Sequence, residues 1–308
     1  MATHSAPAPW LQIASAPVSW GIMESCENPA DYPYKRVLDE IAAAGFSGTE
    51  LGPFGFLPPK PKQLREALEK RGLHLCSAFI AFELADADKL KAALTEVRRT
   101  AELISAAGAT MLVLSDEITP QRSAVAGRRD AANRLSWSDE EWLRAVAAIH
   151  AVAAECNKYG LGVAFHHHVG THVETPEEID RLLTELPPSA LGLCLDTGHY
   201  AYGGGNPVAV LRQHPGRTAW LHLKDVNASR LASARDRQLD FHAGVRQGVF
   251  APLGRGDVDF PECLALLRNQ KYRGWAVVEQ DVLPGGAGAE APLPNATAAR
   301  QYLHSLGV

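Results

Sequence analysis

The chain has 308 residues, 46% of them hydrophobic, with a net charge of −5 and a pI of about 6.2. Proteins that bind by neutralising phosphates carry a basic surplus, so this balance argues against nucleic acid. No apolar run approaches the roughly 18 residues of a membrane span, and the length allows one large domain, the size of an α/β barrel, or two ordinary ones.

The start, "MATHSAPAPW", has no basic region leading into an apolar one, so it does not read as a signal peptide. Five scattered cysteines (Cys26, Cys76, Cys156, Cys194 and Cys263), with no C-x-x-C, read as reduced thiols of a cytoplasmic protein. A first strand is predicted at Gln12–Trp20. The segment after it, "GIMESCENP", lacks the G-x-G-x-x-G turn that an open dinucleotide-binding sheet would want. In "YKRVLDEIAAAGFSGTELG", Val37, Leu38 and Ile41 follow helical spacing, Gly45 closes the helix, and a second strand runs over Ser47–Leu51. The same unit recurs in "QLREALEKRGLHLCSAFI", "AELISAAGATMLVLSD" and "AVAAECNKYGLGVAFHHH". Gly72, Gly108 and Gly160 there mark the left-handed helix ends. These units place strands at His74–Phe79, Thr110–Ser115 and Gly162–His168. Three more fall at Leu191–Asp196, Thr218–Lys224 and Trp275–Gln280. Eight strands alternating with helices predict one closed (β/α)8 TIM barrel over 1–308, with an open doubly wound sheet as the alternative. Two long loops are expected. One, Ser229–Asp257, carries a short helix after the seventh strand; the other, "LPGGAGAEAPLP", follows the eighth. Both leave the C-terminal strand ends, where barrel active sites lie.

Polar groups collect at those ends. Strand two ends in Glu50, strand five in His166 and His168, and strand six in "LCLDTGH" with Asp196 and His199. Strand seven ends in "WLHLKD" with His222, Lys224 and Asp225, and strand eight in "AVVEQD" with Glu279. Side chains alternate across a strand. His166 and His168 therefore share the inward face with Ala164. Val163, Phe165 and His167 face the helices, with His167 read as a satisfied or partly exposed histidine. By the same rule His222 and Lys224 point in, and Leu221 and Leu223 point out. Two carboxylates (Asp196, Glu279) and two imidazoles (His166, His222) form a mixed nitrogen and oxygen set. It suits Mn²⁺, Co²⁺, Fe²⁺ or Zn²⁺ better than Ca²⁺, and four strands would leave positions open for substrate and water. Taken singly, each residue has an ordinary role: a lone strand-end histidine packs, and Asp-Thr-Gly makes a turn. Glu174 is either a cap partner for the helix at "TPEEID" or an alternative ligand on a loop folded back over the strand ends. The joint pattern points to a metal.

At these residues the chain resembles the xylose-isomerase-like barrels, the sugar phosphate isomerase/epimerase family, and within them the inosose dehydratase group. The carriers are "LGVAFHHHVGTHVETPEEID", "LGLCLDTGHYAYGGGNPVAVL", "WLHLKDV" and "GWAVVEQD", with "APVSWG" and "GTELGPFGFLP" nearer the start. The resemblance implies a divalent metal, usually Mn²⁺ or Co²⁺ with Zn²⁺, Fe²⁺ and Mg²⁺ also admitted, and a keto-polyol or keto-sugar substrate. It places Asp196, His222 and Glu279 at metal positions. The wider superfamily has glutamate on strand five where this chain has His166, which leaves the fourth ligand open between His166 and Glu174. The implied activity is a metal-dependent lyase, an inosose-type dehydratase, that abstracts the proton α to a carbonyl and stabilises an enediolate. An epimerase or isomerase at the same metal is the alternative. Glu50, His168, His199, Lys224 and Glu279 are the candidates for acid–base work. Glu50, His168, His199 and Lys224 are also candidates for substrate hydroxyls. Arg246 and Arg255, in the seventh loop, are candidates to close over substrate. Lys224 alternatively pairs only with Asp225. A homo-oligomer is compatible with the sequence.

Overall fold

The computed structural model describes residues 10–23, 31–283, 285–289 and 291–308. The leader reading of residues 1–9, Cys26, and most of the segment after the first strand lie outside the described residues.

Eight parallel strands close into a barrel. They are β1 (Leu11–Ser15), β2 (Gly48–Glu50), β3 (His74–Phe82), β4 (Met111–Asp116), β5 (Gly162–His166), β6 (Gly192–Asp196), β7 (Thr218–Leu223) and β10 (Gly274–Val278). β10 pairs with both β1 and β7, which closes the ring. The two remaining strands, β8 (Asp225–Val226) and β9 (Phe250–Ala251), form an antiparallel ribbon above β7.

Period-two alternation separates two cores. Val163, Phe165, Leu193, Leu195, Leu221 and Leu223 face outward and pack beneath the helices. Ala14, Cys76, Val113, Ala164, Cys194 and Trp220 fill the barrel interior as a layer of mostly small side chains. Cys76, Cys156, Cys194 and Cys263 are buried free thiols, as the scattered spacing implied.

Several predicted strands ran long. β1 stops at Ser15 because Pro17 opens a 3₁₀ turn, Pro17–Trp20, ended by Gly21 at φ 74°. β5 stops at His166, so His168 lies beyond the strand, where its backbone N–H donates to Val173 O. β7 stops at Leu223 and β10 at Val278, which puts Lys224 and Glu279 just past the ladder.

The segment expected as a long loop over Ser229–Asp257 is folded. It carries helices Ala228–Asp236 and Phe241–Arg246 and returns through β9. Leu231, Phe241, Val245 and Phe250 pack with Val169 and Tyr202 into a second core over the barrel mouth. This excursion roofs the C-terminal ends of the strands. Among the described residues no helix is long and apolar enough to cross a membrane.

Candidate active site

Strand ends at one rim line a cavity of about 190 Å³, below the roughly 300–1,000 Å³ of drug-sized pockets. Glu50, His166, His168, His222, Lys224 and Glu279 line it. Pro17, Ile22, Phe79, Phe241, Val245 and Leu283 supply apolar walls, the last three from the roof and the final loop.

Glu50 is the hub of the floor. Its Oε1 accepts from Ser77 Oγ at 2.6 Å and Trp220 Nε1 at 3.2 Å, and lies 3.1 Å from His222 Nε2. The other nitrogen of His222, Nδ1, lies 3.2 Å from Glu279 Oε2 and 3.8 Å from Asp196 Oδ2. Burial works against charge on His222, but Cys194, Glu279 and Glu50 outweigh it and hold the imidazole well above its ordinary range.

Asp196 does two jobs with two oxygens. Oδ1 accepts from His199 N at 2.7 Å and caps the short helix Thr197–Tyr202. Oδ2 faces the cavity's ionic cluster, 3.2 Å from Lys224 Nζ. The same ammonium lies 3.1 Å from Glu279 Oε2 and 2.8 Å from Asp281 Oδ1. Burial would lower Lys224, yet Asp196, Asp281 and Glu279 together raise it well above the usual lysine value. It therefore stays cationic and does not accept protons. Its stem passes tightly over Gly198, where any Cβ would come within 2.6 Å of Lys224 Cγ. That close approach explains the glycine of "DTGH".

The residues present fit a divalent cation. His166 Nδ1 is buried without a hydrogen-bond partner, and such a group is costly unless something pairs with it. Asp196 Oδ2 and His222 Nδ1 have ionic neighbours but no partner in hydrogen-bonding geometry, and a cation would take the place of the His222 proton. Donor atoms cluster within 4.8 Å of one another in three overlapping sets: Glu50–His222–Glu279, His166–Cys194–His222 and His166–His168–His199. All but His168 are buried. These are borderline nitrogen and oxygen donors, with one sulfur the sequence reading had not placed among them.

The histidine run splits by position. His166 points in and meets Phe79 edge-on. His167 faces outward as parity required, but it is fully buried. Its Nε2 accepts from Asp196 N at 3.3 Å, so it braces the C-terminal end of β6. His168 Nδ1 lies 2.8 Å from Val169 O, which makes Nδ1 the protonated nitrogen and leaves the Nε2 lone pair available. Burial lowers it to about 4, so the ring is neutral.

Other expected site residues lie elsewhere. His199 stacks behind His168 with ring centroids 3.8 Å apart and does not line the cavity. Its Nδ1 accepts from Val169 N and its Nε2 lies 3.4 Å from Asp281 Oδ2, so it holds neighbours in place. Glu174 is fully buried, with Oε1 and Oε2 taken by the amides of Gly127 and Gly170 at 2.8 Å each. Burial pushes it up to about 7. Neither it nor Asp196 joins the three donor sets, whereas His166 belongs to two of them. Nor does Glu174 cap the helix Pro176–Glu185, which is capped by Thr175 and Glu178. Arg246 is exposed on the outer side of the roof, in a hollow it shares with Arg230 and Arg237. Arg255 is exposed in a turn and does not line the cavity. Asp225 turns away from Lys224 and accepts from the amides of Gly254, Gly256 and Val258.

Three carboxylates of the cavity lining were missed: Asp116, Glu117 and Asp281. Asp281 pairs with Lys224, and Asp116 at the end of β4 lines the cavity while accepting from the amides of Leu84 and His172. "MLVLSD" and "VVEQD" carried the signal already used for the other strands, an ionisable group closing an apolar run.

Glu174→Gln separates the two ligand hypotheses. The amide would present its NH₂ to one of the two backbone N–H groups, costing about 1–3 kcal/mol. Melting should fall while metal content by elemental analysis stays unchanged. Loss of metal would return Glu174 to the ligand set.

Comparison with known proteins agrees with this architecture. A family model described as a xylose isomerase-like TIM barrel matches residues 38–304. The chain is 35% identical over 277 residues to the rhizopine catabolism protein MocC of Rhizobium meliloti, covering 90% of this chain and 83% of that protein. It is 34% identical over 302 residues to the inosose dehydratase of Geobacillus kaustophilus, covering 96% and 94%. The structure also resembles that of a probable 3-DHS dehydratase, AsbF, from Bacillus anthracis, with TM-score 0.69 at 14% identity over 96% and 99% of the two chains. On the extent of the family match and the identity to its relatives, the chain belongs to the xylose isomerase-like TIM-barrel family.

Proposed function

We propose that the protein is a divalent-metal-dependent dehydratase acting on inosose or a closely related keto-polyol. The observation that carries the reading is the arrangement at the barrel mouth. Buried donors of His166, Asp196 and His222, with Glu279 beside them, lie next to a neutral imidazole, His168, whose lone pair is free. Inosose dehydratase relatives at similar length support the substrate class.

His166, Asp196, His222 and Glu279 would hold the cation, with Glu50 Oε1 accepting from Nε2 on the other side of His222. When bound, the cation supplies Lewis-acid charge beside a substrate oxygen. His168 Nε2 takes the proton α to the carbonyl and returns it to the β-hydroxyl, which leaves as water. Lys224 contributes fixed positive charge and hydrogen bonds, since its three carboxylate partners keep it charged. Phe241, Val245 and Leu283 exclude bulk water from above, which strengthens each charge interaction below. Asp116 offers an acceptor for a substrate hydroxyl on the far wall.

The test is product mass. Metal-loaded protein incubated with a panel of keto-polyols should yield a product lighter by one water, with ultraviolet absorption from the new conjugation. A product of unchanged mass would assign the site to an epimerase or isomerase. No turnover across the panel would reject the substrate class.

A further inference from the structure

Cys194 sits where no sequence argument had placed a ligand. It lies two residues before Asp196 on β6, on the same inward face. Strand register sets it opposite His166 on β5, while Asp196 stands opposite His222 on β7. Cys194 is therefore one layer below the rim carboxylates. Its Sγ and one ring nitrogen each of His166 and His222 lie within 4.8 Å of one another. All three side chains are buried: Cys194 is 0% exposed, His166 3% and His222 1%. His166 Nδ1 and His222 Nδ1 have no hydrogen-bond partner. A buried free thiol and two buried imidazoles, one of them with an unpartnered nitrogen, stand together as a donor set.

We propose that Cys194 is a metal ligand in this chain, joining His166 and His222, and that it biases the centre towards Zn²⁺ and Co²⁺ over Mn²⁺ and Mg²⁺. The inference rests on the metal reading above and adds a sulfur to it. Zinc–sulfur and zinc–nitrogen bonds of about 2.3 and 2.0–2.1 Å require donors closer together than the 4.8 Å limit. Small adjustments of the histidine side chains on binding would bring the donors to bonding distance. On coordination the thiol gives up its proton to solvent and binds as thiolate. Thiolate prefers Zn²⁺ and Co²⁺ to the hard oxygen-seeking ions, and Mn²⁺ and Mg²⁺ gain little from it. Asp196 and Glu279 would complete the coordination from above, so the sulfur changes which metal is held without displacing the rim.

Cobalt reports both statements separately. Purified full-length protein is stripped of metal, loaded with Co²⁺ and read by absorption. Visible d–d bands report Co²⁺ in the protein, and a near-ultraviolet sulfur-to-cobalt charge-transfer band reports thiolate ligation. Wild type is expected to show both. Cys194→Ser should keep the d–d bands and lose the charge-transfer band. Its affinity for Co²⁺ should drop by at least the roughly 10- to 100-fold that losing an outer partner costs, with affinity for Mn²⁺ little changed. Cys76→Ser and Cys26→Ser should keep the band. X-ray absorption of the zinc-loaded wild type needs no variant and should find one sulfur at about 2.3 Å. Visible bands without sulfur ligation in wild type overturn the role of Cys194 and leave the metal reading standing. Absence of any bound cobalt overturns both.

Discussion

Glu279→Gln and Asp196→Asn are each expected to lower turnover by roughly a thousandfold, the loss of several kcal/mol of charge stabilisation at the reacting centre. Both substitutions keep the shape of the side chain and remove a negative charge from the cluster around His222 and Lys224. Burial raises Glu279, but His222 and Lys224 outweigh it and hold it down to about 2, so it serves as carboxylate throughout the neutral range. The fold should survive. Asparagine can still accept from His199 N and cap the short helix, and Lys224 keeps two of its three carboxylates in either variant. Circular dichroism should therefore change little while turnover and metal content fall, and the melting temperature should drop, by less than when the cation shared by all three carboxylates is removed. Near-normal turnover in both variants would place the active site elsewhere.

The features read correctly from sequence are those governed by a rigid period. Alternation along β5 and β7 assigns His166 and His222 inward and Phe165, Leu221 and Leu223 outward, and a one-residue slip would have reversed all of them. Helix-closing glycines marked where each strand begins, because few other residues accept the left-handed backbone. The alternation fails where the ladder stops. His168 was reached by counting along a strand that ends at His166, and it meets the cavity because the chain turns there. Thr171 Oγ1 donates to His168 O, and Gly170 takes φ 89°. His167 was assigned the right face, and of its two readings the partly exposed one fails, since an outward residue at a strand end is as buried as the helix covering it, and its Nε2 accepts from Asp196 N.

Loop residues carry no such period, and there the sequence reading was weakest. Arg246 and Arg255 were chosen for charge in a segment leaving the active rim, but both face outward. What the excursion delivers to the cavity is apolar. Phe241 and Val245 stand four apart on one helix face, and that spacing was visible in "FHAGV". Glu174 could not be read for a different reason. Its carboxylate is consumed by two backbone amides of distant segments, Gly127 and Gly170. No local pattern announces such a bond. Cys194 was discounted because a scattered thiol usually packs. Only the lateral register between β5 and β6 brings it beside His166, and that register is not written in either strand alone.

Lys224→Met is expected to show how far the site depends on its internal cation. The lysine is almost fully buried, and Asp196, Glu279 and Asp281 lie within 3.2 Å of its ammonium. Methionine matches the stem and removes the charge, leaving the His222 imidazolium to face Asp196 and Glu279 and taking away the cation shared with Asp281. Breaking a buried ion pair by removing one partner costs about 3–5 kcal/mol, so metal-free protein should melt well below wild type. The raised Lys224 value sets the sign with pH. Its stabilising contribution is fully present below the ordinary lysine pKa and is lost only as pH rises through the raised one, so the deficit of the variant should hold across neutral pH. The same three carboxylates then become a stronger attractor for an added cation. Ligand that binds only the folded state raises stability with concentration. Mn²⁺ or Co²⁺ should therefore raise the melting temperature of Lys224→Met by more than it raises that of wild type. Turnover should stay low even with metal restored, because the positive charge and donor aimed at the substrate are gone. A variant as stable as wild type without metal would mean that the carboxylates share protons instead of charge. Equal metal shifts in the two proteins would mean that the cation binds away from Asp196 and Glu279.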